Sequence, residues 1–171
     1  EVPGPTAGKL VPRMRTTSMI LYGIYGIMTL ILITLLCLFG MKPFDSFCIA
    51  FGTAGTGGFA VSGAGIAGYN SLAIEVTLGI FMLLFGVNFT VYHLLMLRRI
   101  KEALFMEEVR AYFAIVAVAT AAITWNILSV AGGFGNALRQ AFFQVTSIIT
   151  TTGFATVDFE LWPEFSKHML L

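Results

Sequence analysis

Three long stretches of the chain are apolar and free of Asp, Glu, Lys and Arg. They cover residues 16–41, 76–97 and 111–131, and the first of them is 26 residues long. One crossing of a lipid bilayer needs about 20 apolar residues in a helix. The pattern therefore predicts three membrane-spanning helices.

Two shorter apolar segments follow the first and the third span, and each leads into a loop rich in glycine or threonine. They cover residues 43–51 and 136–149. Seven glycines lie within the twenty residues 51–70, and each would destabilise a helix by about 1 kcal/mol relative to alanine. Irregular backbone at membrane depth is tolerated only where protein buries it or where it lines a water-filled cavity. We therefore expect two half-length helices whose loops return to the side from which they entered.

The two loops resemble each other at a spacing of 95 residues. At this spacing, TGGFA at 56–60 aligns with TTGFA at 151–155. The repeating unit is then a span, a re-entrant half-length helix, a glycine loop and a second span. The chain is accordingly expected to be an all-α, polytopic membrane protein built of such units.

This organisation divides the chain into four parts. They are a cytoplasmic approach segment at 1–17, a complete repeat at 18–97, a cytoplasmic loop at 98–110, and the start of the next repeat at 111–171, truncated before its closing span. Seven of the ten lysines and arginines lie in the first and third parts. Because positively charged loops face the cytoplasm, both glycine loops are expected to enter from the opposite side.

The composition excludes most other classes of protein. Hydrophobic residues make up 57% of the chain and charged residues only 11%. Ordinary globular domains contain roughly 25% charged residues, so this chain has too few for a soluble surface. A nucleic-acid-binding protein needs clustered positive charge, whereas the net charge here is +1. An integral membrane protein remains, with no nucleic acid among its expected partners.

The ends of the half-length helices indicate which solute the loops bind. A helix carries about half a negative charge at its C-terminus, which favours a cation in the space beyond. Glycine permits backbone conformations that turn carbonyl groups toward that space, and a ring of carbonyls can replace the water shell of a potassium ion. The residues expected to form this filter are Thr56, Gly57, Gly58, Phe59, Thr151, Thr152, Gly153 and Phe154.

Other classes of membrane protein fit the loops less well. Glycine and threonine runs also occur where helices pack closely through small residues, but two loops at matching positions favour the filter. An intramembrane serine protease would need a glycine where Ala60 precedes Ser62, and His93 lies toward the opposite side. A transporter of organic anions would use helix N-termini rather than C-termini. These classes and a glycine-rich structural membrane protein are the alternatives, and we expect no enzymatic activity.

Four polar residues in or near the predicted helices are expected to have structural roles. Glu75, near the outer end of the second span, is expected to pair with a neighbouring basic group, because charges at span ends cost little. Arg139 is expected to be a structural residue near the start of the second half-length helix. Asn88 and Asn126 are expected to hydrogen-bond between helices.

Several segments of the chain resemble one known family. The run IITTTGFATVDFELWP at 148–163 is similar to the third pore loop of the Trk-type potassium uptake proteins, which belong to the TrkH/KtrB superfamily. Residues 53–59 resemble the second pore loop of that family, residues 86–93 the helix that follows it, and residues 3–13 the cytoplasmic approach to the second repeat. The resemblance therefore covers essentially the whole chain.

The resemblance implies a fold and a function for the intact protein. The family has four span–loop–span repeats around a pseudo-fourfold pore, of which this chain would be the second repeat and the first half of the third. It also implies one principal glycine in each loop. Aligning the phenylalanines makes these Gly58 and Gly153, with Gly57 left open in the first loop.

The family's function and partners follow as further expectations. The chain would be part of the pore-forming subunit of a potassium uptake system in the plasma membrane of a prokaryote, with potassium as its substrate and no covalently bound cofactor. A homodimer, the missing repeats of the same chain and a cytosolic nucleotide-binding regulatory subunit (TrkA-like) are the implied partners. A sodium-dependent KtrB-type subunit is the alternative within the superfamily.

Overall fold

A computed structural model describes residues 10–170, with side chains placed for 18–88 and 90–170. Residues 1–9, which include part of the expected approach segment, lie outside the described residues. The eight α-helices in this part of the chain are α1 (Leu10–Leu38), α2 (Pro43–Ala54), α3 (Leu72–Gly86), α4 (Phe89–Met96), α5 (Ile100–Phe105), α6 (Glu107–Asn126), α7 (Phe134–Ile149) and α8 (Glu164–Leu170). Two short 3-10 helices occupy Ile66–Tyr69 and Phe159–Leu161. The expected all-α fold is confirmed.

Two of the helices in the described residues are long and apolar enough to cross a membrane. They are the Ser18–Leu38 part of α1 and the whole of α6. Helix α1 begins at Leu10, so residues 10–17 of the expected approach segment are helical. Pro12 does not prevent this, because proline is tolerated in the first turn of a helix. Helix α6 begins four residues before the expected span and ends at Asn126.

The second expected span, 76–97, is not one continuous helix. Helices α3 and α4 are bent by 91° relative to each other. Val87 is extended, with φ −71° and ψ 142°, which stops α3. The side chain of Asn88 then accepts a hydrogen bond from the Thr90 N–H at 2.9 Å and caps α4. Apolar composition alone predicted a straight span, because the cap and the extended residue do not change the hydropathy.

Both expected half-length helices are present, with slightly different bounds. Helix α2 begins with Pro43 in its first turn and continues three residues beyond the expected end. Helix α7 begins at Phe134, two residues earlier than expected, and ends at Ile149. Each helix stops where its glycine and threonine loop begins, so both loops are attached directly to a helix C-terminus.

Two apolar clusters hold these half-length helices in place. In the first cluster, α2 packs against α1 and α3 through residues such as Leu36, Ile49 and Met82. In the second cluster, α7 packs against α6 through residues such as Ile123 and Ala141. Helix α3 also contacts α7, so it lies between the two half-length helices and joins the two clusters.

The fold predicts which segments share a side of the membrane. We expect cysteines at Ala67 and Asp158, both exposed, to react with a membrane-impermeant thiol reagent in intact cells. A cysteine at Leu104, which is 59% exposed, should react only after the cells are permeabilised. The background is the full-length protein with Cys37 and Cys48 replaced by serine. Labelling at 104 in intact cells, with none at 67 or 158, would show that the orientation is the opposite of the one expected.

Candidate functional site

The two glycine and threonine loops, residues 55–59 and 150–154, are held to their helices by the same backbone hydrogen bonds. In the first loop, the N–H groups of Gly55, Thr56 and Gly57 donate to the carbonyls of Phe51, Thr53 and Gly52 at 2.9, 3.3 and 2.7 Å. In the second loop, those of Thr150, Thr151 and Thr152 donate to Thr146, Ile148 and Ser147 at 3.2, 2.9 and 2.9 Å. These three donors and acceptors correspond between the two loops at a spacing of 95 residues. In the second loop the Gly153 N–H also donates to the Ser147 carbonyl at 3.3 Å.

The backbone of the two loops also bends in the same way. The residues with positive φ are Thr56 (50°) and Gly58 (65°) in the first loop and Thr151 (56°) and Gly153 (86°) in the second. The residue between each pair lies outside the left-handed region. Gly58, rather than Gly57, is therefore the conformational counterpart of Gly153.

The two threonines with positive φ were missed by the sequence reasoning. A side chain in the left-handed region costs roughly 1–2 kcal/mol, and for a β-branched residue such as threonine this conformation is a true outlier. The surrounding hydrogen bonds must hold Thr56 and Thr151 in place. Sequence patterns assign positive φ to glycine. The only available signal was that each threonine lies two residues before the aligned glycine, Gly58 or Gly153.

The two loops touch each other at their glycines. A Cβ built on Gly58 would overlap the carbonyl oxygen of Thr152 and lie 3.0 Å from the carbonyl carbon of Gly153. Within the described residues, nothing lies within 4 Å of a Cβ built on Gly153. Gly58 is therefore required by both conformation and space, whereas Gly153 is required by its conformation alone.

The two phenylalanines of the loops have different environments. Phe154 is only 2% exposed, and its ring edge lies 3.4 Å from where a Cβ on Gly52 would be. The second loop is thus fixed against the half-length helix of the first. Phe59 is 83% exposed and has no such seat among the described residues.

Side-chain hydroxyls support the second loop from behind. The Ser147 hydroxyl donates to the Phe154 carbonyl at 2.6 Å. The Thr150 hydroxyl donates to the Thr146 carbonyl at 2.7 Å, so its 2.8 Å contact with the Thr152 hydroxyl must have Thr152 as donor. The positions in the first loop that correspond to these three hydroxyls are occupied by Gly52, Gly55 and Gly57.

Polar contacts also fix the outer ends of the half-length helices. The Tyr69 hydroxyl, in the 3-10 helix after the first loop, donates to the Asp45 carboxylate at 2.7 Å. Burial and this hydrogen bond raise the pKa of Tyr69 to about 12, so the hydroxyl stays protonated at physiological pH. Arg139 and Glu75 form an ion pair with 3.2 Å between Nε and Oε2, as the sequence led us to expect.

The two asparagines connect helices, as predicted. Asn88 donates from Nδ2 to the Glu108 carboxylate at 2.7 Å, in addition to capping α4. Asn126 accepts from the Ser166 hydroxyl at 2.7 Å and links α6 to α8. In the two loops themselves the groups that could contact a cation are backbone carbonyls and threonine hydroxyls, without a carboxylate.

Comparison with known proteins agrees with this geometry. The chain is 30% identical over its full length to the "Trk system potassium uptake protein TrkG" of Escherichia coli K12 and 32% identical to TrkH of the same strain. It is also 32% identical to TrkH of Halomonas elongata, over 95% of the chain. The chain belongs to the Trk potassium uptake family.

The fold agrees with that of a Trk family member. The crystal structure of the potassium transporter TrkH from Vibrio parahaemolyticus matches with a TM-score of 0.84 and 30% identity. The match covers 93% of this chain and 35% of that one. The chain likewise spans 36% of the length of TrkG and TrkH from Escherichia coli. No family model matches the chain.

The contact between the Trk loops predicts different effects at two adjacent glycines. We expect Gly58→Ala in the full-length protein to lower the melting temperature, because overpacking of a closed site costs about 1–3 kcal/mol. Gly57→Ala is the matched control, since its Cβ would meet nothing closer than 3.6 Å. Thermal denaturation of the two variants measures the difference in stability. Equal effects at the two positions would contradict the assigned contact.

The hydroxyl behind the second Trk loop gives another prediction. Ser147→Ala leaves the Phe154 carbonyl without its donor, and such a hydrogen bond contributes about 1 kcal/mol. We expect Ser147→Ala to lower the free energy of unfolding of the full-length protein by about 1 kcal/mol. Thr34→Ala is the control, because its exposed hydroxyl donates to Leu30 within α1, and it should leave the stability nearly unchanged. Ser147→Ala protein that is as stable as the parent in thermal denaturation would show that this bond does not support the second loop.

Proposed function

We propose that this chain is a segment of the pore-forming subunit of a Trk-type system that moves potassium ions across the plasma membrane of a prokaryote. The observation that carries the proposal is the pair of loops with matching hydrogen bonds and matching backbone, which meet at Gly58 and Thr152–Gly153. Curated relatives over the full length of the chain are named potassium uptake proteins.

The selectivity filter in this proposal consists of the loop residues. They are Thr56, Gly57, Gly58, Phe59, Thr151, Thr152, Gly153 and Phe154. Helices α2 and α7 act as pore helices, and their C-terminal ends favour a cation just beyond the membrane-embedded turn. The backbone carbonyls of the loops would replace part of the water shell of potassium.

The division of the chain into repeats belongs to the same proposal. Residues 18–97 form one complete unit, in which α2 packs against α1 and α3, and α4 follows the bend after α3. Residues 98–110 form the cytoplasmic connection, which contains the short helix α5. Residues 111–171 begin the next unit with α6, α7 and α8. Two loops supply only part of a closed ring, so further repeats of the same protein would complete it.

Two partners are proposed from the family resemblance. They are a second copy of the protein, which would form a homodimer, and a cytosolic, nucleotide-binding regulatory subunit similar to TrkA. The exposed basic residues Arg98, Arg99 and Lys101 would face the cytoplasm and are available to such a subunit. The transported substrate in this proposal is the potassium ion.

Uptake of rubidium, a tracer for potassium, tests the proposed function. The full-length protein should restore rubidium uptake to bacterial cells that lack their own potassium uptake systems, and excess potassium should compete better than excess sodium. Uptake that does not exceed that of cells without the protein would refute the function.

A substitution at Gly153 tests the placement of the filter. Gly153→Ser should lower the preference for potassium over sodium by about tenfold, because Gly153 has φ +86° and its Cβ would meet open space among the described residues. The effect therefore reports backbone strain rather than a clash. Gly63→Ser is the control, since its Cβ also meets open space and its φ is not positive. A potassium-over-sodium ratio in Gly153→Ser equal to that of the parent would show that the filter lies elsewhere.

A further inference from the structure

An ion pair joins helices α3 and α7 near their outer ends. Glu75 lies in the first turn of α3 and Arg139 in the second turn of α7. The Glu75 side chain is only 7% exposed and that of Arg139 is 30% exposed. Glu75 Oε2 and Arg139 Nε form no aligned hydrogen bond with any described residue. Their 3.2 Å contact is therefore electrostatic, and its strength depends on distance more than on angle.

The same two helices touch at two further points along their length. A Cβ on Gly79 would lie 2.5 Å from the Phe142 ring. A Cβ on Gly86 would lie 2.8 Å from the Thr150 methyl group. The pair at the start and the contact at the end are separated by eleven residues on α3 and by eleven on α7. The helices thus run side by side in the same direction for about 16 Å.

The lower contacts are apolar. Gly79 and Gly86 leave room for the Phe142 ring and the Thr150 methyl group, so the two helices pack closely there. The ion pair adds a polar contact at the outer end of the same helices, and displacement of either charge leaves it unpaired in a medium of low dielectric constant. Thr150, at the far end of this contact line, is the first threonine of the second loop.

We propose that Glu75 and Arg139 are a positioning pair that sets the depth of α7 along α3 and thereby the shape of the loop at 150–154. The pair does not contact the ion. It links the closing span of one unit to the pore helix of the next, so the outer end of α3 determines the geometry of a filter loop that belongs to a different repeat. The effect on selectivity rests on the proposed function.

The two charges are unequally buried, so the proposal predicts which of the two single substitutions has the larger effect. Arg139→Gln leaves the carboxylate of Glu75, which is nearly fully buried, without its partner. Glu75→Gln leaves the guanidinium of Arg139, which is partly exposed to water. Because an unpaired buried charge is strongly unfavourable, Arg139→Gln should have the larger effect. Arg139→Lys keeps the charge and should retain most of the parental behaviour.

The test measures selectivity in the full-length protein and compares it with a matched ion pair. We expect the potassium-over-sodium ratio to fall about fivefold in Arg139→Gln and about threefold in Glu75→Gln. The double variant Glu75→Gln, Arg139→Gln should be less affected than Arg139→Gln alone. Lys167→Gln is the control, because Lys167 and Glu164 pair at 2.7 Å within a single helix, and it should leave the ratio unchanged.

A second measurement separates this proposal from the proposed function. The rate at which a cysteine at Gly135 reacts with a thiol reagent reports the depth of the outer end of α7, where an added side chain meets open space among the described residues. We expect Arg139→Gln to change this rate by about threefold or more and Lys167→Gln to leave it unchanged. A changed rate in a parent that carries no potassium would uphold the pair and refute the transport function. The positioning role would be overturned if the folded variants keep the parental labelling rate at position 135 and, where the parent transports potassium, also keep the parental potassium-over-sodium ratio.

Discussion

The structure depends on satisfying irregular backbone inside an apolar layer. Each unpaired N–H or carbonyl group there costs several kcal/mol, so a loop at membrane depth needs partners nearby. In both loops the first three N–H groups return to carbonyls of the last helical turn. These bonds occupy the amides and leave loop carbonyls that need not be paired within the helix. In the proposed filter, these carbonyls would contact a dehydrated cation.

The two loops reach the same backbone by different means. Hydroxyl groups of Ser147, Thr150 and Thr152 brace the second loop, whereas glycines occupy the corresponding positions of the first. The first loop is shaped instead by steric contact, since Gly58 lies directly against the second loop. Stiffness is therefore distributed unequally, and the glycine-rich loop relies on its neighbour for its shape.

Much of the fold could be predicted from sequence, because hydropathy and the 95-residue spacing report burial and symmetry directly. The all-α class, the half-length helices and the pairing of Glu75 follow from apolar stretches and from charges at their ends. The bend after Gly86 could not be predicted, since it arises from one extended residue and one side-chain cap. The positive φ of Thr56 and Thr151 is a tertiary effect that overrides local preference, so residue type alone conceals it.

The contact between Phe154 and Gly52 has a consequence for how the chain is made. Ribosomal synthesis proceeds from the N-terminus, so the helix that carries Gly52 is translated before Phe154. Gly58 is likewise translated before the loop that it contacts. Neither loop has all its contacts until the second loop has been made, so the two loops complete their shape together, late in the synthesis of this part of the protein.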